Sequence, residues 1–403
     1  MKRIIPFLLL LSLLAACAAP QAQTEPPMEV SESQPAATPT VEEVQIAPQS
    51  ATPPEDTLLP NEIDAPLIDA PSIINIEMQD EVYGWAVTEK FIIRTNDGGV
   101  TWYNVTPPGL TEAGYSVFPE FFDISHAWIQ VVDPNNYPNG GTLHYTSDGG
   151  ITWESVETPF SAGDMEFVDA DNGWILADLG VGAGSMAVSV FQTKNGGKTW
   201  SRVYTNDPNL EDAGETLPLG GLKFLIAPLD MEIAWVGGVV YAPGSVYLFR
   251  TDDAGKTWFN INLILPEEAA ASELAVEKLH FVSDLQGFLV LRMTSQSPKT
   301  LIFLTDDGGN TWQPLPEILP RASWLETPSA QEIVFYSGNQ FYVTKDAGQT
   351  FEVVDPNVKF GEAITDMSFV NSSTGWVITT SATGKRTLYK TTDGGQTWFS
   401  IIP

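Results

Sequence analysis

From Ile73 to the C-terminus the chain runs in short stretches in which apolar and polar positions alternate. The first cycle reads as four strands, Ile73–Met78, Trp85–Thr88, Phe91–Thr95 and Thr101–Val105, rich in β-branched and aromatic residues and joined by tight turns. Alternation with a period of two marks half-buried strands. The last cycle, Ile364 to Ile402, is complete in the same way, so no strand is left over to exchange between first and last cycles. Closure of a ring is therefore expected to rest on packing. Two stretches lack this pattern. Ile4 to Leu14 is an apolar run broken only by Pro6 and Ser12, too short to span a bilayer. Residues 18–71 show no periodicity at all.

One eight-residue pattern, T-x-D-x-G-x-T-W, recurs seven times, at Thr95–Trp102, Thr146–Trp153, Thr193–Trp200, Thr251–Trp258, Thr305–Trp312, Thr344–Phe351 and Thr391–Trp398. The copies are spaced 39 to 58 residues apart, about one four-stranded blade each. The second glycine is constant: Gly99, Gly150, Gly197, Gly255, Gly309, Gly348 and Gly395. The position before it accepts Ala254 and Ala347, so only the second is expected to need a positive φ. Asp97, Asp148, Asp253, Asp307, Asp346 and Asp393, with Asn195 as the variant, are suited to accept turn amides, a task that needs no charge.

A weaker repeat precedes each turn: Tyr83-Gly84-Trp85, Ala127-Trp128, Asn172-Gly173-Trp174, Ala234-Trp235, Gly287-Phe288 and Thr374-Gly375-Trp376, absent from the short sixth cycle. The fold expected is all-β, a single seven-bladed β-propeller of four-stranded antiparallel blades over residues 72–403. Of the twelve tryptophans, six close the turn motif, five follow the Gly/Ala position and only Trp324 is unassigned. The core, not sugar stacking, accounts for them.

Composition adds a tether and a compartment. Residues 18–71 hold eleven prolines and ten acidic residues with no lysine or arginine, too little apolar surface to offset ordering entropy, so they are expected to be disordered. Before them, Lys2, Arg3 and the apolar run end in Leu14-Ala15-Ala16-Cys17, which resembles the lipobox of bacterial lipoproteins. That resemblance implies a signal peptide over 1–16, acylation of Cys17, a tether over 17–71, and a protein lipid-anchored to the membrane on its extracytoplasmic side. Cys17 is the only cysteine, which leaves no thiol for a disulfide or metal. After residue 71 there are 41 acidic against 17 basic residues, which argues against nucleic acid and anionic lipid as partners.

The turn motif resembles the Asp-box (bacterial neuraminidase) repeats of sialidases, sortilin-type receptors and some glycanases. The fuller pattern, Phe167–Trp174 with Thr193–Trp200 and Phe369–Trp376 with Thr391–Trp398, is similar to the photosystem II stability and assembly factor family. The resemblance covers about residues 73–403. It implies a membrane-tethered, monomeric binding scaffold whose partner is a protein, such as a membrane-complex subunit. That family has a basic, arginine-rich patch, whereas Arg94, Arg202, Arg250, Arg292, Arg321 and Arg386 are dispersed here. The alternative implied is a carbohydrate-binding or glycoside-hydrolysing propeller.

Candidate chemistry is sparse. A sialidase needs three converging arginines and a tyrosine nucleophile; xyloglucanase-type glycanases work in a cleft between two propellers. His126, His144 and His280 lack metal-ligand spacing, and there is neither a nucleophile elbow nor a P-loop. The expectation is no enzyme, no cofactor and no metal, with Asp207 to Glu215 as a solvated acidic loop. Asp-box turns and first-to-second turns share one face; length variation falls on the other, at 133–142, 179–186, 205–221, 265–276 and 294–299. Variable loops on a rigid scaffold carry recognition, so Tyr137, Tyr204 and Trp324 are the expected partner anchors, with Glu211 and Asp212 as polar contacts.

Overall fold

The computed structural model describes residues 64–402; the expected signal peptide, Cys17 and the tether up to residue 63 lie outside the described residues. The described chain is all-β. It forms five four-stranded antiparallel sheets and one nine-stranded sheet that contains two further four-stranded runs, joined at Val239–Ala275. The strands of each four-stranded unit follow chain order. The first strands of the successive units are Ile73–Met78, Val117–Phe121, Gly163–Phe167, Leu222–Pro228, Glu273–Phe281, Trp324–Ser329 and Ile364–Phe369.

Hydrophobic clusters lie between successive units all the way round. The cluster that joins last to first packs Ile73, Ile76 and Trp102 against Trp376, Ile378 and Leu388. Side chains reinforce that seam: Asp366 accepts the Ile76 amide at 2.7 Å and Asn75 Nδ2 at 2.9 Å, and Ser368 accepts the Met78 amide at 3.0 Å. Sheets of this size, packed face to face in sequence and closed by packing and side-chain hydrogen bonds with no exchanged strand, are consistent with a propeller.

The folded part begins earlier than the expected boundary at residue 72. The Asn104 amide donates to Pro66 O at 2.7 Å, the Ile68 amide donates to Trp102 O at 2.9 Å, and Leu67 pairs with Tyr103. The outer strand of the first unit, Tyr103–Asn104, would otherwise present free backbone groups, and residues 66–68 satisfy them.

The seven repeated turns share one bonding scheme. In the fifth, Asp307 Oδ1 accepts the Thr311 amide at 2.8 Å and Oδ2 accepts the Thr311 hydroxyl at 2.8 Å; the Thr305 hydroxyl accepts the Gly309 amide. Asn195 keeps the first contact and turns the second round, donating Nδ2 to the Thr199 hydroxyl at 2.9 Å. The charge is therefore dispensable, as expected. The expectation for the glycines needs correction. Both positions have positive φ, including Ala254 at 61° and Ala347 at 56°. In the fifth and sixth turns the second position is also short of space. A Cβ on Gly348 would lie 2.6 Å from Leu315 Cδ1, and one on Gly309 would overlap the Trp235 ring.

The first-position amide ties the Asp-box to the first-to-second turn of the same unit, as in Gly98 N–H to Val82 O at 2.8 Å and Gly394 N–H to Ser373 O at 2.8 Å. Both turns therefore occupy one face. Arg94 and Arg250, each just before an Asp-box threonine, are clamps between units. Their guanidinium groups lie over Trp85 and Trp235 and donate to Gly149 O and Gly309 O of the next unit.

Candidate functional site

Strand register decides which side chains collect at the inner edge of the sheets. The first-strand residue directly opposite the recurring aromatic of the second strand (Val334 in the sixth unit) shares its face and looks toward the next unit. In chain order these residues are Glu77, Glu120, Glu166, Ala227, His280, Glu326 and Ser368, opposite Trp85, Trp128, Trp174, Trp235, Phe288, Val334 and Trp376. Two residues earlier on the same strands stand Asn75, Phe118, Asp164, Leu225, Lys278, Trp324 and Asp366. Glu77, Glu120, Asp164, Glu166, Lys278 and His280 line a cavity of about 670 Å³, whose walls are first strands and the turns that follow them in five successive units. It therefore lies toward the Asp-box face, not the long-loop face.

Glu77 and His280 are exposed along the cavity, Glu120, Asp164, Glu166 and Lys278 are half-buried, and few cations answer the carboxyls. Burial, with repulsion from Glu326, pushes Glu77 up to about 7. Burial pushes Asp366 to about 7 and Asp164 to about 6, although each accepts a backbone amide. Burial, then the charges of Glu166, Glu77 and Asp164, raises Glu120 well above the usual carboxylate range, and burial, then Asp164 and Glu77, does the same to Glu166. Lys278 is held by Glu326 at 2.8 Å. Burial drives His280 down to about 4, so it is neutral, and its Nδ1 lies 3.1 Å from the Thr327 hydroxyl.

Glu166 differs from its counterparts for a reason written in the next unit. At this level Ser368 accepts the amide of Met78, and Glu120 faces that of Phe167. The corresponding residue opposite Glu166 is Pro228, which has no N–H to give. Two residues back, Asp164 does find a donor, the Ile226 amide at 2.7 Å. One strand thus carries a carboxyl with no backbone donor and, two residues back, one that accepts a backbone amide.

The raised carboxyls bind protons in the folded state that the unfolded chain has released, so stability falls as pH rises from about 4 to about 7. His280, between about 4 and 6.5, and His144, which burial also lowers, work in the opposite sense, two groups against six once Glu277 is included. The Asp-box carboxylates Asp148, Asp253, Asp307, Asp393 and Asp346, the last pulled to about 2 chiefly by the Thr350 and Thr344 hydroxyls, lie below the usual range and cost stability only below about pH 4. The melting temperature is accordingly expected to be higher at about pH 5 than at about pH 8. Calorimetry across that range checks this; a flat profile contradicts it.

Of the expected partner anchors, Tyr137 and the polar pair Glu211 and Asp212 are exposed, and Asp212 is paired with Arg202 at 2.7 Å. Tyr204 and Trp324 are corrected. Tyr204 is buried, its hydroxyl accepting the Leu217 amide at 2.8 Å, and half-buried Trp324 donates Nε1 to Ile364 O of the last unit. The Asp207–Glu215 loop satisfies itself, Asp207 accepting from the Asn209 amide and side chain. Among the described residues no three His, Cys, Asp or Glu groups are placed to hold a metal ion. The carboxylate layer escaped the sequence reading, yet it has a signature: Glu77, Glu120 and Glu166 each stand eight residues before the conserved tryptophan.

Against known proteins, a Sortilin-Vps10 model ("Sortilin, neurotensin receptor 3") matches residues 302–402. A xyloglucanase of a Paenibacillus species is 26% identical over 258 residues, covering 57% of this chain and 24% of that protein. A probable oligoxyloglucan-reducing end-specific xyloglucanase of Neosartorya fischeri is 32% identical over 206 residues, covering 42% and 24%. The chain thus spans about a quarter of the length of these relatives. The GH74 xyloglucanase structure from Xanthomonas campestris aligns with a TM-score of 0.55 at 11% identity, over 82% of this chain and 54% of that one. YCF48 bound to D1 peptide aligns at 0.49 and 17%, over 82% and 95%. What these share with the chain is an Asp-box type of β-propeller. The expectation of a non-catalytic protein is overturned, since the matched curated relatives are xyloglucanases, and the likeness does not single out photosystem factors.

Proposed function

We propose that this chain is a glycan-active, seven-bladed Asp-box propeller that cleaves a neutral polysaccharide at its inner carboxylate layer. The observation that carries the reading is one cavity holding two acids on one strand in different bonding, Glu166 without a backbone donor and Asp164 with one. Glycoside hydrolysis needs such a pair. Glu166 gives its proton to the glycosidic oxygen as the bond from the anomeric carbon breaks. Asp164 takes a proton from the water whose oxygen bonds to that carbon. Strand rise sets the two Cα atoms about 7 Å apart, on the same face. The names of the relatives support a xyloglucan-like substrate, and the excess of carboxylates disfavours uronates and sialosides.

Reducing ends released from xyloglucan, mixed-linkage glucan and polygalacturonate test the reading. Turnover of the neutral chains only is expected; turnover of none of them refutes it. In the same reading the enzyme is extracytoplasmic and anchored through acylated Cys17, so Cys17→Ser is expected to shift it from the detergent to the aqueous phase on partition, and retention would refute the anchor.

A further inference from the structure

Where the last and third units place an aspartate that accepts the neighbouring unit's amide, Asp366 and Asp164, the second unit places Phe118 instead. Its ring is 43% exposed, two residues from Glu120 and on the same face. The fourth unit's first strand bulges between Lys223 and Leu225, and the extra residue, Phe224, is 48% exposed. Neither ring belongs to the hydrophobic clusters that hold the units together. The twelve tryptophans do not supply such a surface: none of them is exposed. Two aromatic rings left in water thus flank the unit that carries Asp164, one level further than the glutamates from the Asp-box face.

We infer that Phe118 and Phe224 form a sugar-stacking subsite, continuous with the carboxylate cavity, for a neutral β-glucan segment. This rests on the glycan reading above and extends it to the side of the long loops. A pyranose offers apolar C–H faces and equatorial hydroxyls. Exposed rings match the faces, and the carboxylate Asp164, in the unit between them, matches the hydroxyls. An anionic sugar would meet uncompensated carboxylates instead.

The test is titration calorimetry with cellohexaose on the full chain in a Glu166→Gln background, which removes turnover, with Phe118→Ala and Phe224→Ala added singly. Each is expected to raise Kd roughly tenfold, the size of one lost aromatic contact, with the melting temperature unchanged because the rings are exposed. Phe118→Tyr is expected to restore affinity. If the parent binds cellohexaose and both alanine variants bind equally well, the subsite is refuted and the glycan reading survives. If the parent binds no neutral oligosaccharide and the wild type turns none over, both fall.

Discussion

Glu166→Gln is expected to lower turnover of xyloglucan by about 10²–10⁴-fold, the range for loss of a general acid. The amide keeps the shape of the side chain but has no transferable proton. It also relieves repulsion among Glu77, Glu120 and Asp164, so the folded state should gain stability at neutral pH, and the pH slope of the melting temperature should flatten. Loss of activity with gain of stability is a combination that a misfolded variant cannot produce. Glu120→Gln separates the roles, because burial raises its carboxyl too but it faces the Phe167 amide. If Glu120→Gln were silent and Glu166→Gln inactive, the Pro228 argument would stand. The reverse would move the acid to the second unit.

Gly309→Val is expected to destabilise the fold by roughly 3–5 kcal/mol, combining a β-branched residue at positive φ with overpacking of a core. The residue sits at φ 74°, and a Cβ there would enter the Trp235 ring, itself wholly buried between two units. Gly308→Ala, one position earlier, is expected to cost only about 1 kcal/mol, as alanine already stands there at Ala254 and Ala347. Asp307→Asn should likewise be mild, since Asn195 shows the rearranged bond to a threonine hydroxyl. Urea denaturation of the three variants measures this order. A Gly308→Ala loss as large as that of Gly309→Val would mean that backbone conformation, not space, governs both positions.

Much of the architecture was local and therefore legible. An Asp-box carries its own bonds within eight residues, and a strand shows its two faces by alternation, so repeat number, strand order and the end of the last unit could be read directly. The tryptophans too were assigned to the core from spacing alone, and their burial agrees. The N-terminal boundary failed because Pro66–Ile68 look like tether by composition. They are held by backbone bonds to Trp102 and Asn104, which any sequence could make. Tyr204 and Trp324 failed because a loop position says little about depth.

The site was legible only in hindsight. Glutamate eight residues before a tryptophan recurs in the first three units, but a polar residue on an alternating strand ordinarily faces solvent. Only closure of the ring turns that face into an interior wall, where burial and like charge raise the carboxyls. The roles within the layer come from the neighbour across a seam: Pro228 denies Glu166 an amide, the Ile226 amide reaches Asp164, and Asp366 reaches Ile76 across 290 residues of chain. The sequence by itself determined the repeated unit, because every bond of the turn is short-range. Tertiary structure alone decided which carboxyls converge and which of them finds an amide donor, because desolvation and the supply of amide donors depend on what the next unit brings.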